Sequence, residues 1–65
     1  MPLFSFYPCR KDGSSTAFET FEQYSDDDAL ERANQVLREH DSAVEVVVWQ
    51  GERRVGAVQR LGADA

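Results

Sequence analysis

An α+β fold is what this sequence predicts: two β-hairpins flank one amphipathic helix in the order ββαββ, giving a four-stranded, mainly antiparallel sheet with the helix on one face. Three observations predict it. Segments rich in aromatic or valine side chains, the types that suit a pleated surface, occupy residues 3–10, 15–22, 43–50 and 53–60. In each half a glycine-containing turn joins two such segments, Asp12-Gly13 in the first and Gly51-Glu52 in the second. Between the halves, residues 26–40 repeat their apolar positions at helical spacing.

The first hairpin takes its register from Asp12-Gly13, read as a two-residue type I′ turn. This pairs Lys11 with Ser14, Cys9 with Thr16, Tyr7 with Phe18, Phe6 with Glu19, Ser5 with Thr20 and Phe4 with Phe21. Because side chains alternate across a strand, Phe4, Phe6, Ala17 and Phe21 share one face, and Tyr7, Cys9 and Phe18 share the other. Pro8 has no N–H to donate, so it calls for an edge position or a bulge.

The helix begins at Ser25-Asp26-Asp27-Asp28. A serine there accepts a bond from a free backbone N–H, and the three carboxylates complement the positive end of the helix dipole. At 100° per residue, Ala29, Leu30, Ala33, Val36, Leu37 and His40 form one stripe, while Asp27, Glu31, Gln35, Arg38 and Glu39 point away. Such a helix covers one face of a small sheet. In the second hairpin, a type II′ turn with Gly51 first pairs Trp49 with Arg54, Val48 with Val55, Val47 with Gly56, Val46 with Ala57, Glu45 with Val58 and Val44 with Gln59. The tail, residues 61–65, is expected to fray.

Composition bounds the function. The 65 residues make one domain, 1–65, and a chain this short usually needs a disulfide, a metal or a partner to reinforce its core. One cysteine, Cys9, and one histidine, His40, cannot build an internal disulfide or a Cys/His zinc site, which leaves association as the expected aid. No cofactor is expected. The start of the chain shows no basic, apolar leader pattern, no stretch reaches the length of a membrane span, and the lone thiol suits a reducing compartment, so the expected location is the cytoplasm.

Twelve acidic and seven basic side chains give a net charge of −5, which repels a phosphate backbone and disfavours nucleic acid as a partner. The expected exception is a cluster of Arg53, Arg54 and Arg60 beside Trp49, where cations and a stacking platform could hold a single strand. An acidic helix face of Asp27, Asp28, Glu31 and Glu39 could conversely imitate nucleic acid toward a basic site, although an ordinary solvated face accounts for it as well.

No phosphate loop, nucleophile elbow or zinc-protease motif occurs, and His40 and Cys9 have no partner at a catalytic spacing, so a non-enzymatic protein is expected. Asp26-Asp27-Asp28 lacks the alternating ligands and central glycine of a calcium loop.

The inference with most functional content concerns the second sheet face. If the helix covers Phe4, Phe6, Phe21, Val44, Val46, Val48 and Val55, then Tyr7, Phe18, Val47, Trp49 and Val58 remain on the opposite side. An apolar face of this kind marks a contact surface, with a second copy in a homodimer, or another protein, as the expected partner.

The opening Met1-Pro2 with Phe4 and Phe6, the early Asp12-Gly13, the Ala-containing acidic helix and the closing valine hairpin resemble a group of short bacterial proteins of unknown function, met mostly in alphaproteobacteria. That group opens Met-Pro-x-Phe/Tyr-x-Phe and ends in two valine strands around a glycine turn. This chain departs from it at Glu19-Thr20-Phe21-Glu22, where the group carries an acidic Glu-Gly segment. The resemblance implies a ββαββ arrangement and transfers no activity.

Overall fold

In the computed structural model, which describes residues 2–15 and 17–60, the chain runs β1 (Leu3–Arg10), β2 (Glu19–Glu22), α1 (Asp26–Glu39), β3 (Ala43–Gln50) and β4 (Arg53–Gln59). The strands form one antiparallel sheet in the order β2-β1-β3-β4, so the two hairpins join through β1 and β3 at its centre. This is the ββαββ fold the sequence predicts.

Period-two alternation on β1 and β3 sets the inner face. Phe4, Phe6, Val46 and Val48 are buried against Ala29, Ala33, Val36 and Leu37 of the helix, and Ala43 closes the end. Phe21, Leu30, Val55 and Val58 pack around this core. Each fully buried Val, Leu or Phe contributes about 1.5–3 kcal/mol, so the few large side chains here carry much of the stability of a small domain.

Ser25 caps the helix as expected, its Oγ accepting from the Asp28 N–H at 3.1 Å. Three aspartates occupy the first turn, and the helix ends one residue before His40, whose extended backbone forms the C-cap.

The first turn differs from expectation. Type I′ geometry would need positive φ at both Asp12 and Gly13, but only Gly13 has it, at 88°. The Gly13 N–H donates to Arg10 O and the Arg10 N–H to Ser14 O, each at 2.8 Å, closing a three-residue loop in which Arg10, not Lys11, faces Ser14. The Asp12 carboxylate accepts from both Ser14 N and Ser14 Oγ, at 2.9 and 2.7 Å, which favours this turn and holds the carboxyl below its ordinary pKa.

Beyond the loop, the pairs Phe4–Phe21, Ser5–Thr20 and Phe6–Glu19 are those predicted. The regular second strand begins at Glu19 rather than residue 15, and the expected partner of Cys9, Thr16, lies outside the described residues, as does the tail 61–65. Pro8 is accommodated because β2 ends its pairing at Phe6, which leaves β1 at an edge there; Pro8 itself faces Val46 in regular register, and the ladder to β3 shifts only beyond Cys9, where Val44 is the extra residue.

The second hairpin turns as expected, with Gly51 at φ 61° and Gln50 opposite Arg53. Its register then shifts by one residue beyond Trp49–Arg54. Val48 faces Gly56, Val47 faces Ala57, Val46 faces Val58 and Glu45 faces Gln59, instead of the partners predicted from an unbroken ladder. Val55 is the extra residue of a bulge on β4. A bulge exchanges the faces of everything after it, so Val58 joins the core and Ala57 turns outward.

Candidate interaction face

The side of the sheet away from α1 is the candidate site. Its layout follows from the registers. One row across the strands holds Thr20, Ser5, Trp49 and Arg54; the next holds Tyr7, Val47 and Ala57; the third holds Cys9, Glu45 and Gln59. Leu3 lies at one end beside Glu22. Phe18, just before β2, stacks on Tyr7 with ring centroids 5.2 Å apart and planes at 24°.

Four of the five predicted contact residues therefore share this face: Tyr7, Phe18, Val47 and Trp49. The fifth does not. Val58, expected here, packs against the helix side because the β4 bulge reversed its direction. Leu3 takes a place in the group instead. The same alternation that put Tyr7 outward puts Leu3 outward, so its position was readable from residue spacing.

No described element covers this face, since α1 packs on β1, β3 and β4 from the other side. Phe18 and Leu3 remain 57% and 55% exposed, while Tyr7, Val47 and Trp49 are half-buried among their neighbours. Cys9 lies in the third row, its thiol 3.4 Å from Tyr7 O. Burial, and then the charge of Glu45, push that thiol above its ordinary pKa, which keeps it protonated and a poor nucleophile at neutral pH.

The three arginines expected to form a nucleic-acid surface are not brought together. Arg53 leans to the helix side, donating to both carboxylate oxygens of Asp26 at 2.9 and 3.1 Å and to Gln50 Oε1. Arg60, at the other end of β4, donates to Leu37 O at 2.7 Å, His40 O at 3.0 Å and Ala43 O at 3.0 Å. Leu37 O and His40 O already accept from the His40 and Ala43 N–H groups, so Arg60 adds a second donor to each and ties the helix end to the start of β3. Only Arg54 faces the open side, one strand over from Trp49, and among the described residues its guanidinium has no hydrogen bond or ion pair.

Arg53 faces the helix by strand alternation, whereas Arg60 depends on the bulge in β4. With an unbroken ladder, residue 60 would project to the open face; the extra residue at Val55 turns it toward the helix end. The sequence signal was composition alone, which counts arginines but not the faces they occupy.

On the helix side, Arg32 lies 4.0 Å above the centre of the Phe21 ring and donates to Gln35 Oε1 at 3.1 Å. It borders a shallow, open cleft with Tyr24, Asp28 and Glu31 that brings no nucleophile to an acid or base. His40 Nε2 lies 3.8 Å from Glu19 Oε1, beyond hydrogen-bond distance. Among the described residues no group of three or more His, Cys, Asp or Glu is placed to hold a metal ion, and no helix is long and apolar enough to cross a membrane.

Compared with protein-family models, with curated proteins and with solved structures, the chain matches none. The functional reading therefore rests on the geometry of the sheet and its two faces.

Proposed function

We propose that this chain is a non-enzymatic interaction module that works through the sheet face opposite α1, associating with a second copy of itself or with another protein. The observation that carries the reading is the uncovered group of Leu3, Tyr7, Phe18, Val47 and Trp49 on one side of the sheet. Contiguous apolar patches of this kind mark contact sites, and a small domain with a thin core gains stability by covering them. A reducing, cytoplasmic setting belongs to the same reading and is supported by the single cysteine, Cys9, which has no disulfide partner within the chain.

The test is the mass in solution by light scattering, with the wild type compared against the double variant V47E/W49E. The expected result is a concentration-dependent dimer for the wild type and a folded monomer, by circular dichroism, for the variant. Equal masses at every concentration, with unchanged capture of any protein partner, would sink the reading.

Nucleic acid remains the contrasting class. Its expected surface is reduced to Arg54 beside Trp49, because Arg53 and Arg60 are engaged with the helix. A gel shift at low salt with single- and double-stranded probes is expected to show no retardation; retardation that fades with added salt would favour this class over the first.

A further inference from the structure

Besides Glu22 at its β2 edge, the open face carries two opposite charges on either side of its apolar middle row, Arg54 in the row of Trp49 and Glu45 in the row of Cys9. They belong to neighbouring strands and stand two rows apart, and among the described residues neither makes an ion pair within its own chain. Resting on the reading above, we infer that the occupant of this face is a second copy of the chain, stacked sheet on sheet about a twofold axis that runs along the row Tyr7–Val47–Ala57, across the strands.

Rotation about that axis keeps β3 over β3 and β4 over β4 but exchanges the two flanking rows. Trp49 then meets the row of the second copy's Glu45, and Arg54 lies one strand across from that same carboxylate, giving two symmetric Arg54–Glu45 pairs around a core of Tyr7, Val47 and Ala57. Aligned sheets pack about 10 Å apart, a gap that an arginine and a glutamate span together.

The other in-plane axis, parallel to the strands, exchanges β1 with β3 and β2 with β4. It would set Arg54 over Thr20, two residues along β2 from Glu22, but Glu45 over Cys9, which leaves the Glu45 carboxylate with no counter-charge in the facing row. Self-complementary charge thus selects one of the two symmetric arrangements. It also selects the occupant, since a surface that supplies its own counter-charges needs only a copy of itself.

The contact is small. Strands of eight, four, eight and seven residues, about 5 Å apart and rising about 3.3 Å per residue, present roughly 400 Å² per copy, against about 800 Å² per partner in a standard stable interface. A weak dimer is expected, with dissociation in the micromolar range, so measurements should span about 1–500 μM.

The experiment uses charge reversal and mixing. E45R and R54E are each expected to weaken the homodimer at least tenfold, because each brings like charges together. An equimolar mixture of E45R with R54E is expected to restore a heterodimer, and the double variant E45R/R54E to restore the homodimer. Sedimentation velocity with one variant carrying a fluorescent label reads both. A wild type that dimerises and is split by V47E/W49E but ignores charge reversal and mixing would overturn this arrangement while leaving the interaction face intact. A wild type that stays monomeric up to 500 μM would overturn the inference itself.

Discussion

The two faces of the sheet are built from the same four strands and differ in what seals them. On the closed face Phe4, Phe6, Val46 and Val48 are at most 1% exposed, and β4 holds both ends of the covering helix, Arg53 at its first turn and Arg60 at its last. On the open face no described element lies over Tyr7, Phe18, Val47 and Trp49. An alternating strand therefore does not decide which side becomes the core. The helix decides it, and a bulge in one edge strand turns Arg60 toward the end of the helix that it holds.

The contrast is broken most severely from the closed side. Phe6→Ala should cost about 3–5 kcal/mol in urea unfolding, since it empties a fully buried ring site beside Phe21. The V47E/W49E pair, on the open face, should cost less than about 1 kcal/mol under dilute, monomeric conditions. Similar losses for the two would mean that the faces are equally buried and the distinction is false.

A smaller effect tests the helix end. Arg60→Ala removes three hydrogen bonds from a charged, half-buried donor to Leu37, His40 and Ala43 carbonyls and should cost about 2–3 kcal/mol. Arg60→Lys should recover only part, because a single ammonium does not reproduce the planar fork. Amide exchange concentrated at residues 36–43 would locate the loss; a uniform increase would point to a different cause.

The smallest effect concerns the helix start and appears only in acid. The hydrogen bond from Arg53, and then its charge, hold the Asp26 carboxyl below its ordinary value of 3.8 despite opposing desolvation. A carboxyl depressed in the folded state stabilises it above the unfolded pKa, and this contribution is lost as pH falls through the folded pKa. Arg53→Ala should therefore flatten the acid limb of the stability profile below about pH 4 and leave Asp12, held by Ser14, to supply what slope remains. Identical profiles for wild type and variant would show that this exposed pair does not hold the helix.

Much of the candidate site was legible beforehand because strands β1 and β3 carry apolar side chains at both parities. Tyr7, Val47 and Trp49 could be assigned to a face relative to Phe6, Val46 and Val48 by counting alone. Val58 could not, since its face depends on an unbroken count from Gly51 and the count is broken at Val55. Of the three arginines, Arg60 was displaced for the same reason, whereas Arg53 and Arg54 are separated by alternation alone, since neighbours on a strand face opposite sides.

Residue order by itself determined the elements: Ser25 and its aspartates start the helix, the Ala29–Leu37 stripe orients it, and Gly51 closes the second hairpin. These are local matters of backbone freedom and side-chain spacing. The strand order, the three-residue turn before Ser14 and the bulge that sends Val58 and Arg60 toward the helix were decided only in three dimensions. The turn follows from the local Asp12–Ser14 bonds, while the bulge has a non-local cause: a one-residue slip in an edge strand brings Val58 into the core and the Arg60 guanidinium to the end of α1 at the same time.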